Sequence, residues 1–130
     1  MKFTFSTMVA DNLAAHMIGG FQTSFSSGYF CRRCYVKYSE KYLPISAIQP
    51  NSRTYIDHDN FVEKIVRKSH ESPIMGITGP SLMKNLIGFH PVTSLPGDAM
   101  HDFLEGICPM IMMALLKQAS TMRLTTYGEI

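Results

Sequence analysis

The sequence predicts an α+β chain made of one edge strand, mostly helices, and long loops. A period-two pattern opens the chain. Helical stripes follow at about 59–70 and from Asp98 to Gln118, and proline, glycine and serine break most of the interval between them. The composition is globular. With 130 residues, 45% hydrophobic and 17% charged, the chain is long enough for a single core and too apolar for a disordered tail.

At the start, Phe3, Phe5, Thr7 and Val9 share one face at period two in a run of aromatic and β-branched residues, which predicts a strand ending at Asp11. Asn12 is read as the cap of a helix from Leu13 to Ile18. Leu13, Met17 and Ile18 share its apolar face, Gly19-Gly20 supply its stop, and His16 is an ordinary helix residue. From Phe21 to Tyr29 the Ser, Gly and Phe content predicts an irregular connector, packed by Phe21, Phe25 and Phe30, that delivers Cys31 and Cys34.

Ser39 to Asn60 reads as loop, because it holds Pro44, Pro50, Asn51 and Ser52. A helix is expected from about Asp59 to His70, with Phe61, Ile65 and Val66 as its stripe. Ser72 to Pro96 is broken by Pro73, Gly76, Gly79, Pro80, Gly88 and Pro91, leaving room for a short helix from Ser81, as N-cap, to Ile87. The final helix begins near Asp98. Its apolar stripe runs Met100, Phe103, Leu104, Ile107, Ile111, Ala114 and Leu115, and Pro109 predicts a kink or a fresh helix start.

Charge and hydropathy exclude several classes of function. Net charge is +2 with a pI near 8.5, so no global basic field announces nucleic-acid binding. Locally, Arg32, Arg33, Lys37 and Lys41 cluster, and Arg32, Arg33 and Lys37 are the candidates for weak DNA contact. The longest apolar run, Ile107 to Leu116, is ten residues and contains Pro109, which is too short for a membrane span. Thr4, Ser6 and Thr7 interrupt the apolar start and argue against an export signal. An odd count of three cysteines, two of them in a CxxC, fits a reducing, intracellular setting better than a disulfide framework.

Two clusters carry chemistry. Cys31-Arg32-Arg33-Cys34 places two thiols at the separation one tetrahedral zinc requires, and the arginines favour the thiolate form. The remaining ligands come from His58, His70, His90, His101 or Asp98, with His58 and His101 the leading partners. A redox pair or two inert thiols are the alternatives. In Asp98-x-x-His101-Asp102-x-x-Glu105, Asp98 is placed to cap a helix on which His101 and Glu105 meet at i and i+4. By spacing alone, an N-capped amphipathic helix with solvated acids is the simpler account.

The strings Asp11-Asn12-Leu13-Ala14-Ala15-His16-x-Ile18-Gly19-Gly20-Phe21, Tyr29-Phe30-Cys31-Arg32-Arg33-Cys34 and Leu95-Pro96-x-Asp98-x-Met100-His101-Asp102-x-Leu104-Glu105-Gly106 together resemble transposases of the CACTA (EnSpm-like) type. The resemblance spans about residues 5–120. It implies a partial RNase H-like core with a zinc-binding insertion: residues 1–20 as the strand and helix carrying Asp11, 21–96 as a loop-rich insertion with the CxxC, and 97–120 as the DxxH helix. It further implies that Asp11 corresponds to the second catalytic aspartate of a two-metal DNA-cutting and strand-joining site. On the same resemblance Cys31 and Cys34 help hold a structural zinc, and Asp98-x-x-His101 serves zinc or site architecture.

Departures from that pattern set the functional expectation. The family's first catalytic aspartate lies on an earlier strand, and only ten residues precede Asp11; Glu105 sits on the DxxH helix and Glu129 near the chain end, so neither replaces the third acid. Magnesium or manganese would thus serve only the intact parent enzyme. The expected function is a catalytically inactive, transposase-derived fragment, nuclear if expressed, with zinc as its cofactor, possible DNA contact, and self-association through uncovered apolar surface. The alternative is an unrelated small zinc-binding interaction module that docks a partner on its Met-rich helix.

Overall fold

The computed structural model describes residues 4–48, 51–67 and 72–122. The chain divides into two compact units, Met1–Pro96 and Gly97–Ile130. Helix dominates and strand is scarce. Among the described residues the only β pairing is three isolated bridges, Phe21 with Ile77, Cys34 with Ser52, and Ile74 with Ile77.

In the first unit, α1 (Asn12–Gly19) starts at Asp11, whose carboxylate accepts the Ala14 amide at 2.7 Å. The cap is therefore Asp11 and not Asn12, because the Asp11 oxygen reaches the third amide of the helix. The buried face also differs from expectation: Ala15, His16 and Gly19 face inward, whereas Leu13 and Met17 are exposed. Small residues let the helix approach closely. A Cβ on Gly19 would come within 2.7 Å of the Phe21 ring.

Gly20 ends α1 in the left-handed conformation, φ 74°, and its amide is directed at the carbonyls of His16 and Met17. The carbonyls at this end then bind a distant segment. Thr78 donates to the Gly20 oxygen through its amide at 2.8 Å and its hydroxyl at 3.0 Å, and the Ile18 oxygen accepts the Leu82 amide and the Ser81 hydroxyl. Gln22 adds an amide bond to the Gly76 carbonyl at 2.8 Å.

That partner segment begins with a tight turn in which Ile74 and Ile77 exchange two backbone bonds, 3.0 and 2.9 Å. Positive φ at Met75 (51°) and Gly76 (81°) gives the turn the twist of a primed hairpin turn. Beyond it, the helix expected over 81–87 is a run of turns, since Ser81 spends its hydroxyl on the Ile18 carbonyl as well as on the Met83 amide.

The edge strand expected at the chain start is absent over described residues 4–10. Two separate amide bonds, Phe5 to the Ile87 carbonyl and Met8 to the Ser94 carbonyl, tie this stretch to turns, so no extended partner exists to build a ladder. Met8 and Ala10 pack against Ala15, Phe89 and Leu95, while Phe5 and Val9 face outward.

A second cluster joins Phe21, Ile65 and Ile77, with Phe61, Val62, Ile74 and Val92 around it. It buries one face of α2 (Tyr55–Arg67), which starts about four residues earlier than the apolar stripe suggested. Thr54 caps it: the Thr54 hydroxyl accepts the Asp57 amide at 3.1 Å and donates to the Asp57 carboxylate at 2.8 Å. The expected extension to His70 lies outside the described residues. Short 3₁₀ turns at Tyr38–Glu40 and Ile45–Ala47 occupy the loop before it.

In the second unit, Met100–Ile107 forms a π-helical turn that runs into α3 (Cys108–Thr121). Pro109 lies in the first turn of α3, where its missing N–H costs nothing, and the Cys108 amide reaches back five residues to the Phe103 carbonyl. Neither element buries a residue.

The stitched end of α1 yields a stability prediction. A Cβ at Gly20 would both strain the left-handed backbone and strike the Gly79 carbonyl oxygen. Gly20→Ala should therefore cost at least about 2 kcal/mol, measured by denaturant unfolding, whereas alanine at the more open Gly79 should cost far less.

Candidate metal centre

Helix α2 places His58 on its inward stripe with Phe61, Val62 and Ile65, at helical spacing. The ring is 2% exposed and lies edge-on to Phe21 at 5.5 Å. The next residue, Asp59, points outward with its side chain 66% exposed. His90 enters from a turn in which its carbonyl accepts the Thr93 and Ser94 amides and its own amide donates to the Ser94 hydroxyl.

These three side chains converge. One Asp59 oxygen stands 3.1 Å from His90 Nε2 and 3.4 Å from His58 Nδ1, and the two imidazoles sit edge to face at 5.1 Å. Ligand atoms of all three lie within 4.8 Å of one another, which makes them a group able to hold a metal ion. The Val92 amide donates to His90 Nδ1 at 3.2 Å, so the His90 proton resides on Nε2 and is donated to Asp59. A pocket of about 270 Å³ adjoins the cluster, apolar at Val62, Phe89 and Pro91 and polar at Ser81 and Lys84.

Burial pushes the His58 pKa below the ordinary imidazole value, against the opposing hydrogen bond to Asp59. Burial works to raise the Asp59 carboxyl, but hydrogen bonds from His90 and His58 together hold it below its usual value. His58 is thus a neutral imidazole beside an ionised carboxylate, the protonation states that ligate a metal.

Cys31 and Cys34 form a separate centre. Both are half-buried free thiols close to one another, and the Arg33 amide donates to the Cys31 sulfur at 3.3 Å. Burial pushes the Cys34 thiol up, followed by the neighbouring Cys31 thiol. Arg53 lies beneath them, 4% exposed, with Nε donating to the Cys31 carbonyl at 2.9 Å and its guanidinium stacked 4.5 Å over the Tyr35 ring. Its two terminal nitrogens and the Tyr35 hydroxyl are buried without a well-formed hydrogen bond. Desolvation lowers the Arg53 pKa, and the nearby phenol and thiols oppose that shift.

The sequence-derived site residues are thus distributed as follows. His58 joins Asp59 and His90 rather than completing a group with the thiols; within the first unit no histidine forms a three-ligand set with Cys31 and Cys34 among the described residues. His101 belongs to the second unit, where its Nδ1 bonds Asp98 at 2.6 Å and its Nε2 stands 3.9 Å from Glu105. That bond holds the Asp98 carboxyl below its ordinary range. His70 is outside the described residues. Arg32 corrects the expectation of a DNA contact: it is 5% exposed, with its guanidinium bonded to the Asn12 side chain and the Pro96 carbonyl, while Arg33 and Lys37 are exposed. Asp11 caps α1 and belongs to no group of three or more metal-ligating side chains among the described residues.

Sequence reasoning missed Arg53 altogether, and it named His90 only as one histidine among several. No family model, curated protein or solved structure matches this chain.

The buried histidines set a pH dependence. His16 is 1% exposed, with its Nδ1 donating to the Gln22 carbonyl at 2.7 Å, and burial lowers its pKa as it does that of His58. Both are neutral when folded and take up protons more readily when unfolded. Stability should therefore be level above the unfolded value of about 6.5 and fall as the pH drops below it, by at most about 1.4 kcal/mol per unit for each histidine. Thermal melts between pH 7.5 and 5 should show this decline, and His16→Gln should make it shallower.

Proposed function

We propose that this chain is a piece of a transposase-type, RNase H-like strand-transfer core that performs no strand cleavage by itself and carries a structural zinc on Cys31 and Cys34. The order and spacing of the Asp11, CxxC and DxxH strings is the observation that carries the reading. The lone position of Asp11 supports its inactivity. Two-metal phosphoryl transfer needs carboxylates converging from separate elements, and the Asp11 carboxylate serves a helix amide and belongs to no group of three or more metal-ligating side chains among the described residues. Magnesium or manganese therefore does not fit this chain at Asp11.

Zinc does fit the thiol pair. An amide donated to one sulfur and a buried guanidinium nearby favour thiolates, whereas burial and the neighbouring thiol raise the Cys34 pKa, a cost that a bound cation offsets when it replaces the protons. On this reading the chain acts in the nucleus, and its contact with DNA runs through exposed Arg33 and Lys37.

One observation favours the second reading, a zinc-stabilised interaction module. Met100, Phe103, Leu104, Ile107, Met110, Ile111, Met112, Met113 and Leu115 are each more than 40% exposed, an apolar surface suited to a partner or a second copy.

Cleavage assays on DNA with varied ends, in magnesium or manganese, should show no cutting above background. Cutting abolished by Asp11→Ala would overturn the proposal. Metal analysis should find one equivalent of zinc that is lost in Cys31→Ser/Cys34→Ser, and its chelation should lower the melting temperature.

A further inference from the structure

We propose that His58, Asp59 and His90 form a second divalent-metal site, of the zinc class, independent of the Cys31–Cys34 pair. The spacing is the main argument. Four ligands around zinc at bond lengths of about 2.0–2.1 Å stand roughly 3.3 Å apart along each edge of the tetrahedron. The Asp59 oxygen already lies 3.1 Å from His90 Nε2 and 3.4 Å from His58 Nδ1, two edges of that figure without any rearrangement. The remaining edge closes through movement of Asp59 and His90, the more exposed members, while His58 stays fixed in the core.

The ligand chemistry selects the ion. Two imidazoles and one carboxylate suit zinc, cobalt or nickel and not magnesium, which requires an oxygen octahedron. The adjoining pocket provides space for a water at the fourth position, bordered by the Ser81 and Lys84 side.

Metal binding has one identifiable structural cost. With an ion on Nε2, the His90 proton moves to Nδ1, and the Val92 amide, which now donates to Nδ1 at 3.2 Å, loses its acceptor. The Val92 amide is therefore a reporter of occupancy that lies outside the ligand set.

The test uses the whole chain with Cys31→Ser/Cys34→Ser, which removes the thiols and leaves this site intact. Titration with zinc or cobalt should show one equivalent bound, a cobalt spectrum without thiolate charge transfer, and a shift of the Val92 amide resonance. Adding Asp59→Asn or His90→Ala, both at exposed or half-exposed positions, should weaken binding at least about tenfold. An unaltered affinity in both variants, or no bound equivalent in the folded thiol-free protein, overturns the proposal. If the thiol-free protein does not fold, the same two substitutions are made in the native chain. Loss of one equivalent with thiolate charge transfer retained supports the site, and unchanged stoichiometry and affinity overturn it. Absence of thiolate charge transfer in the native chain would count against zinc on the cysteines and leave this site standing.

Discussion

The Gly20 carbonyl is where the first unit is fastened. It takes two hydrogen bonds from Thr78, and beside it the Ile18 and Gly76 carbonyls complete a seam between α1 and the segment that carries the tight turn. Both apolar clusters depend on this seam. One unites Ala15 with Phe89 and Leu95, and the other unites Phe21 with Ile77 and Ile65. α1 enters the first cluster through Ala15, while the second is built from residues after Gly20, and the seam links the two within the unit Met1–Pro96.

What lies inside is unusually polar for so small a core. Among the described residues six apolar side chains are buried, against seven polar or charged ones that include His16, His58, Arg32 and Arg53. Burial of such groups is tolerable only where partners satisfy them, and most are satisfied. Arg32 reaches the Asn12 side chain and the Pro96 carbonyl, and His16 reaches the Gln22 carbonyl. His58 Nε2 and the terminal nitrogens of Arg53 are exceptions, and Arg53 lies against the thiols and the Tyr35 phenol. Its positive charge and the two candidate thiolates are opposite halves of one electrostatic problem. Deprotonating the cysteines gives the guanidinium a counter-charge beside it.

How much of this was legible in the sequence differs by element. Proline at position 109 announced a kink or a fresh helix start, and the structure changes there from the π-helical turn to α3 at Cys108 without a break in the helical run. Thr54-x-x-Asp57 carries a capping signature that outranks the apolar stripe, so the true start of α2 was readable from local chemistry. The alternation over residues 3–9 misled, because period two specifies a face and not a ladder; a strand needs a partner, and turns at Ile87 and Ser94 took its amides instead. For the metal centre, the adjacent His58 and Asp59 were visible as residue types. Their meeting with His90 depends on the turn at 90–94, which local sequence does not specify. The burial of Arg32 and Arg53 was likewise beyond reach, since arginine is ordinarily a surface residue and only the tertiary seam encloses it.

The π-helical turn before Pro109 changes the shape of what a partner would meet. A π turn rotates the chain by less per residue than the α-helical 100°, so a stripe drawn at i, i+3, i+4 and i+7 does not stay on one side across Met100–Ile107. Phe103 and Leu104 themselves stand roughly a quarter turn apart, and beyond the proline the consecutive Met110, Ile111, Met112 and Met113 are all exposed, so the apolar surface goes round the helix instead of lying along one side. A flat groove that accepts a straight amphipathic helix would cover only part of it. A complementary surface must wrap the helix, or be built from two elements set at an angle.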